Sequence, residues 1–188
     1  MENLKELIPL VLPHVRGCDN NIIKMELGNA VRRFCREAWV LRERHELGVV
    51  AGIDTYDLTV ESDAIIQQVQ RVMLDNRDLN ARAYTILVSE KQIILHYVPT
   101  KDGVLKYEVI LVPSFTAQEL NKDILERYAE AFVAGALAKL YMMPQKPWTN
   151  FDLAQMHEYE YQDFRRTAKV DTAFGGKCKE LRVKMINL

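Results

Sequence analysis

The sequence has 188 residues, of which 48% are hydrophobic and 27% are charged, and its formal net charge is −1. This length suits one domain with its own hydrophobic core, and the near-neutral charge excludes a protein that binds polyanions over its whole surface. Three widely spaced cysteines (Cys18, Cys35 and Cys178) with no C-x-x-C pair exclude a disulfide framework and indicate a reducing compartment.

No secretory signal or membrane-spanning segment is recognisable in the sequence. The N-terminal residues include Glu2, Lys5 and Pro9 instead of a basic region followed by a long apolar one. The most apolar run, residues 7–12, is too short to span a bilayer. We therefore expect the protein to fold in the cytoplasm.

Two helices are predicted at the N-terminal end. Residues 3–15 form a short helix that is weakened by Pro9. A longer helix begins at Asp19, Asn20 and Asn21, which offer N-cap oxygens, and it is predicted to end near Glu46, before Gly48. Its apolar residues recur at three- and four-residue steps: Ile23, Leu27, Ala30, Phe34, Ala38 and Leu41.

The periodicity then changes from helical to alternating. Strands are predicted at residues 64–74, 83–88, 92–98 and 104–112. Turn signals at Asp75 and Asn76, and a short loop at residues 89–91, separate them. This segment is therefore predicted to be a small antiparallel meander.

Helical periodicity returns after Asn121. One long apolar stripe comprises Ile124, Leu125, Tyr128, Phe132, Ala136, Leu140 and Tyr141. Gly135 lies within this helix at a cost of roughly 1 kcal/mol relative to alanine. Such a glycine is best tolerated where another helix approaches closely. Pro144 ends this helix, and a last helix is predicted over residues 150–167.

Both tryptophans are predicted to pack in the helical part. Trp39 belongs to the first long helix, and Trp148 follows the second. Full burial of Trp39 would make Trp39→Ala cost roughly 3–5 kcal/mol. A near-neutral effect would instead indicate an interface or a surface.

The order of the elements predicts an α+β fold, a helical bundle of about four helices with an inserted small antiparallel β-sheet and an extended C-terminal arm. A single domain is predicted over residues 1–173. Its helices occupy residues 3–46 and 122–167, and the β insertion occupies residues 47–116. Residues 174–188 are the arm.

Positive charge is concentrated at the C-terminal end. Seven basic and two acidic residues give residues 165–188 a net charge of +5, which leaves −6 for residues 1–164. Apolar and basic residues alternate beyond Gly175 and Gly176, which favours an arm that gains order on a partner. The alternative is a frayed end or a strand on the protein's own sheet. The residues predicted to dock are Phe174, Lys177, Lys179, Leu181, Arg182, Val183, Lys184 and Met185.

No catalytic constellation is predicted. The sequence has no glycine-rich phosphate loop, no H-E-x-x-H motif and no recognised nucleophile motif. Cys35 is expected to be a small core residue beside Phe34. The histidines belong to four different predicted elements, and each is expected to be structural: His14, His45, His96 and His157.

The acidic residues of the last predicted helix are the best candidates for an enzyme. They are Asp152, Glu158, Glu160 and Asp163. Carboxylates of this kind can hold a divalent metal, but Asp152, Glu160 and Asp163 do not share one helical face. Pairing of Glu158 with Arg165, or of Glu160 with Arg166, would make a salt-bridged surface. We therefore predict no catalytic residue, metal or cofactor, and keep a metal-dependent hydrolase as an alternative.

Two blocks of residues carry a resemblance to a known family. The first comprises Phe34, Cys35, Arg36, Glu37, Ala38, Trp39, Glu43, Val50, Ala51, Gly52, Tyr56, Asp57 and Leu58. The second comprises Tyr128, Gly135, Ala136, Leu137, Ala138, Leu140, Tyr141, Met142, Met143, Pro144, Lys146, Pro147, Trp148, Ala154, Tyr161, Gln162, Asp163 and Phe164. With these mainly packing and turn residues, the chain resembles the head-to-tail adaptor, or connector, proteins of tailed bacteriophages, of the tail tubular protein A type.

The resemblance implies a non-enzymatic structural protein of the virion neck, assembled in the host cytoplasm without a membrane. Such adaptors form a ring of twelve copies around a channel through which DNA passes without specific binding. Their C-terminal arms, here residues 174–188, engage the portal protein, and their β elements face the next tail or neck protein. Two further alternatives are a neck or tail-completion protein that binds the tail tube and a nucleic-acid-binding module that uses the basic tail.

Overall fold

A computed structural model of the protein describes residues 2–60, 63–117 and 119–173. The predicted docking arm, residues 174–188, lies outside the described residues. The helices are α1 (Ile8–Val11), α2 (Asn20–Ala38), α3 (Lys122–Arg127), α4 (Ala129–Tyr141) and α5 (Phe151–Ala173). The strands are β1 (Glu2–Asn3), β2 (Arg42–Val49), β3 (Thr55–Asp57), β4 (Ala64–Leu74), β5 (Arg77–Asp78), β6 (Tyr84–Leu87), β7 (Gln92–Leu95), β8 (Gly103–Pro113) and β9 (Glu119–Leu120).

The strands form two antiparallel sheets and one short bridge. A four-stranded sheet has the order β2-β8-β4-β5, and a three-stranded sheet has the order β3-β7-β6. The two-residue strands β1 and β9 pair with each other. Strand β8 is central in the larger sheet because β2 pairs with it on one side and β4 on the other.

The prediction of a helical bundle with a small inserted sheet is wrong. The protein is mixed α+β and rich in strands, since seven strands are distributed over two antiparallel sheets. The predicted single meander is divided because β3 pairs with β7, whereas β4 pairs with β8. The strands that the alternating pattern assigned to one sheet therefore lie in two sheets, β4 and β8 in the larger and β6 and β7 in the smaller.

The first long helix is shorter than predicted. Its N-terminus forms as expected, since Oδ1 of Asp19 accepts a hydrogen bond from the backbone N–H of Asn21 at 2.7 Å. It ends at Ala38 instead of Glu46, and Arg42–Val49 becomes strand β2. This strand pairs with β8 over its whole length, so its backbone hydrogen bonds replace those that a longer helix would make.

The described residues form two hydrophobic cores. One lies among α2, α4, α5 and residues 4–18, which we call the N-terminal segment. Its largest fully buried side chains include Phe34, Phe132 and Tyr161. The other lies on the strands and includes Ile93, Leu105 and Val109. Leu41, in the connection between α2 and β2, packs against both cores.

Trp39 ends helix α2 in a left-handed backbone conformation, with φ 59° and ψ 34°. Its side chain is half-buried, so the condition for a loss of roughly 3–5 kcal/mol in Trp39→Ala is not met, and Lys169 Nζ lies 4.5 Å from the centre of its ring. Trp148 is partly buried against the helical core, as predicted.

The backbone at Trp39 leads to a stability prediction. Trp39→Gly and Trp39→Ala both remove the contact with Lys169, but only glycine adopts this conformation without a Cβ clash. We expect the glycine variant to be the more stable of the two by about 1 kcal/mol. Urea unfolding of both variants measures the difference. Equal midpoints would show that the left-handed conformation carries no cost.

Candidate functional site

The acidic residues of α5 make contacts that the sequence did not predict. The carboxylate of Glu158 accepts two hydrogen bonds from the Arg33 guanidinium, at 3.3 and 3.1 Å. That guanidinium also lies 4.1 Å from the centre of the Tyr161 ring. Glu158 is therefore part of the α2–α5 packing.

The predicted pairs within α5 are wrong. Arg165 pairs with Glu37 of α2, and Glu160 pairs with His157 at 2.8 Å. The pairing follows the packing of α5 against α2 and the three-residue spacing of His157 and Glu160. Asp152 and Asp163 are exposed on the same helix.

The described residues contain no group of three or more His, Cys, Asp or Glu side chains arranged to hold a metal ion. Of the four acidic residues of α5, Glu158 contacts Arg33 and Glu160 contacts His157. The ion pairs of Glu158 and Arg165 with residues of α2 are typical of a surface between packed helices.

Two of the four histidines meet across elements. The His157 ring stacks on Tyr141, with ring centres 5.7 Å apart, and its centre lies 6.3 Å from that of His14. His45 stacks on Tyr107 at 5.4 Å within the larger sheet. The sequence placed these histidines in separate elements, and it contains no local signal for the meeting of His14 with His157.

Neither described cysteine has the surroundings of an activated thiol. Burial raises the pKa of Cys35 to about 12. Burial also raises the pKa of Cys18, and the neighbouring Asp19 carboxylate contributes in the same direction. Thiolates, which are the reactive form, are disfavoured in both positions. Cys35 lies in the helical core, as the sequence predicted.

An apolar groove of about 390 Å³ runs between the N-terminal segment and α5, with α4 as its floor. We call this feature the apolar groove. Its apolar lining is Leu10, Val133, Ala134, Leu137 and Phe164. Its polar rim is His14, Glu130, His157 and Glu160. Leu10 is 51% exposed, so the groove opens to the surface.

A second surface lies where the loop after β8 meets helix α2. Phe115 in this loop is 73% exposed, and the Arg32 guanidinium lies 5.4 Å from the centre of its ring. Arg32 Nε also donates to the carbonyl of Pro113 at 3.2 Å, which holds the loop against α2. Lys24 and the half-exposed Met25 line the same surface. We call Lys24, Met25, Arg32 and Phe115 the Phe115 patch.

The outward face of the larger sheet carries charged pairs between neighbouring strands. Arg44 of β2 bonds Glu108 of β8 at 3.1 Å, and Lys106 of β8 bonds Glu46 of β2 at 2.8 Å. Each pair joins residues that are directly opposite in the register. These charges balance one another within the sheet and stabilise it weakly.

A third exposed surface lies at the far end of this sheet. The loop after β2 and the loop after β7 are joined by a hydrogen bond from Gly52 N to Pro99 O at 2.9 Å. This end lies about 24 Å along β2 from Arg42, where the strand leaves the helical part. Its exposed apolar side chains are Val50, Ile53, Tyr97 and Val98, which we call the β tip.

The residues predicted to dock on a partner, Phe174 to Met185, lie outside the described part of the chain. The apolar groove, the Phe115 patch and the β tip were not identified from the sequence. A partial signal existed for Phe115, which is a large apolar residue between Ser114 and Thr116, two residues after the proline that ends β8. The groove has no such signal because three separate segments build it.

No helix within the described ranges is long and apolar enough to cross a membrane. No protein-family model matches the sequence, and no curated protein matches it.

Proposed function

We propose that the protein is a structural subunit of a tailed-bacteriophage neck, the head-to-tail adaptor that joins the portal to the tail. In this role, copies of the chain form a ring around the channel through which DNA passes. Residues 174–188 dock on the portal protein, and the β tip faces the next neck or tail protein. The role requires no catalysis and no cofactor.

The chief support is the packing between the two blocks of residues that resemble adaptor proteins. Phe34 of the first block has its ring centre 4.9 Å from that of Tyr128 and 5.9 Å from that of Tyr161, both in the second block. Gly135 of the second block lies so close to Tyr161 that an added Cβ would be 2.6 Å from two of its ring carbons. Helical residues of the two blocks, Phe34 of the first and Tyr128 and Tyr161 of the second, therefore pack together in the helical core.

The distribution of exposed apolar residues also supports a protein that joins two partners. The β tip lies at the end of the larger sheet, away from the helical core, and its apolar side chains are available to a neighbour. The arm follows Ala173 at the C-terminal end of α5. Two separate contact regions suit a link between a portal and a tail.

The charge distribution suits a DNA channel. Residues 1–164 carry a net charge of −6, and a channel lined by such bodies would repel DNA and let it slide. Rings of lysine or arginine facing the channel in an assembled particle would contradict this part of the proposal.

The decisive experiment measures particle mass for the purified chain, alone and mixed with a portal protein. We expect a discrete ring-sized complex on the portal, and we expect deletion of residues 174–188 to abolish it. The shortened chain should still unfold cooperatively at an unchanged temperature if, as predicted from the sequence, the arm contributes little to the core. A matched control keeps the length and replaces Lys177, Lys179, Arg182 and Lys184 by serine, which separates the effect of charge from that of the apolar residues.

Binding to the portal without residues 174–188 would refute the docking role of the arm. A chain that ignores the portal but binds a tail-tube protein would be a tail-completion protein, and the adaptor role would be refuted. Failure of the shortened chain to fold would show that the arm belongs to the core.

A further inference from the structure

We infer that neighbouring copies of this chain contact each other head to tail, with the Phe115 patch of one copy seated in the apolar groove of the next. This inference deepens the proposed function and rests on it in one respect, because a ring as the final assembly follows from the adaptor role. The contact joins two surfaces that lie on opposite sides of the helical part.

An exposed aromatic side chain of one surface suits the concave shape of the other. Phe115 is 73% exposed on a short loop, at the edge of the shallow hollow that it lines with Lys24, Met25 and Arg32. The apolar groove is concave, and Leu10, Val133 and Phe164 offer partly exposed apolar side chains along it. An aromatic side chain that enters an apolar pocket is the usual energetic centre of a protein interface.

The charges at the two margins are also complementary. Two basic side chains, Arg32 and Lys24, belong to the Phe115 patch. Glu130 and Glu160 belong to the rim of the apolar groove. Opposite charges at the margins of an interface favour encounter and fix its register.

Helical geometry places the two surfaces on opposite outer sides of the α2–α4 pair. The helices meet at Gly135 of α4, where an added Cβ would lie 3.0 Å from the Cβ of Ala30 in α2. Arg32 is two residues from Ala30 and therefore points about 200° away from that contact. Val133 and Leu137 are two residues from Gly135 and likewise point about 200° away from α2.

This arrangement determines the kind of assembly. A contact that joins two different surfaces of the same chain leaves one unused surface at each end of a dimer. Further copies therefore add in the same sense and form a closed ring if the rotation between neighbours closes, or an open filament if it does not. A contact of one surface with itself would instead stop at a dimer.

Pairs of cysteines test the contact directly. In a Cys178→Ser chain the remaining cysteines, Cys18 and Cys35, are buried. Leu10→Cys places a thiol in the groove, and Thr116→Cys places one beside Phe115. We expect oxidation of an equal mixture of these two variants to give a cross-linked dimer, and oxidation of either variant alone to give none. The chain that carries both cysteines should give a series of oligomers.

A second substitution tests the role of the aromatic ring. Phe115→Glu, added to the Thr116→Cys chain, should abolish cross-linking and leave the unfolding temperature unchanged, because the side chain is largely exposed. Val98→Glu at the β tip is the matched control and should leave cross-linking intact. Val98→Cys mixed with Leu10→Cys should give no cross-link.

No cross-link between Leu10→Cys and Thr116→Cys, or equal cross-linking of either variant with itself, would overturn the inference. The two proposals fail separately. A chain that cross-links in this pairing but ignores the portal would retain the contact and refute the adaptor role. A chain that joins the portal without this cross-link would retain the adaptor role and refute the contact.

Discussion

Replacing Tyr161 with alanine is expected to lower the free energy of unfolding by about 3–5 kcal/mol. Tyr161 is completely buried between α2, α4 and α5, where its ring meets Phe34 edge to face at 5.9 Å. Its hydroxyl donates a hydrogen bond to the carbonyl of Ala30 at 3.0 Å. Burial raises the pKa of Tyr161 to about 12, which keeps the hydroxyl protonated and able to donate at neutral pH.

Denaturant unfolding of two matched pairs of variants tests this expectation. Tyr159→Ala, on the same helix but 63% exposed, should change stability by no more than about 0.5 kcal/mol. Tyr161→Phe keeps the ring and should cost only about 1 kcal/mol for the lost hydrogen bond. Similar losses for Tyr159→Ala and Tyr161→Ala would contradict the packing of the three helices around Tyr161.

Replacing Gly135 with alanine is expected to destabilise the protein by about 1–3 kcal/mol, although alanine is the better helix former. The added Cβ would lie 2.6 Å from two ring carbons of Tyr161 and 3.0 Å from the Cβ of Ala30. Atoms this close must move apart, and the ring of Tyr161 is held on every side. Overpacking should therefore outweigh the gain in helix propensity.

Gly28 provides the matched control, since it lies within α2 and an added Cβ there would meet no atom within 4 Å. Gly28→Ala should raise stability by up to about 1 kcal/mol. In a Tyr161→Ala background the contact with the Tyr161 ring is gone and only the contact with Ala30 remains, so Gly135→Ala should be less destabilising there than in the unchanged chain. Stabilisation by Gly135→Ala in the otherwise unchanged chain would show that α4 and α5 are farther apart than described.

Local patterns predicted several elements well. Strand β4 covers the predicted residues 64–74, and the start of α2 follows the predicted cap at Asp19. The close approach expected at Gly135 is confirmed by its contact with Tyr161. The strand and the cap depend on neighbours within a few residues, which can be identified in the sequence. The approach at Gly135 is a tertiary contact, but a glycine inside a helical apolar stripe indicates it.

Element ends were predicted less well where distant residues determine them. Helix α5 continues to Ala173, six residues beyond the predicted end at residue 167. Near its end, Thr172 Oγ1 donates to Ala38 O at 2.8 Å, and Arg42 Nη2 donates to Thr172 O at 3.2 Å. Contacts with Ala38 at the end of α2 and with Arg42 at the start of β2 thus stabilise the additional turns of α5, and the local sequence of α5 contains no sign of them.

The sequence by itself determined the periodicity of the long helices, the position of strand β4 and the burial of Cys35. Only the tertiary structure decided that residues 42–49 form a strand, that Glu158 binds Arg33, and that an apolar groove lies beside α4. The physical reason is the range of the interactions. Capping and periodicity act between near neighbours, whereas strand pairing, ion pairs and grooves are made by segments that meet only after the chain has folded.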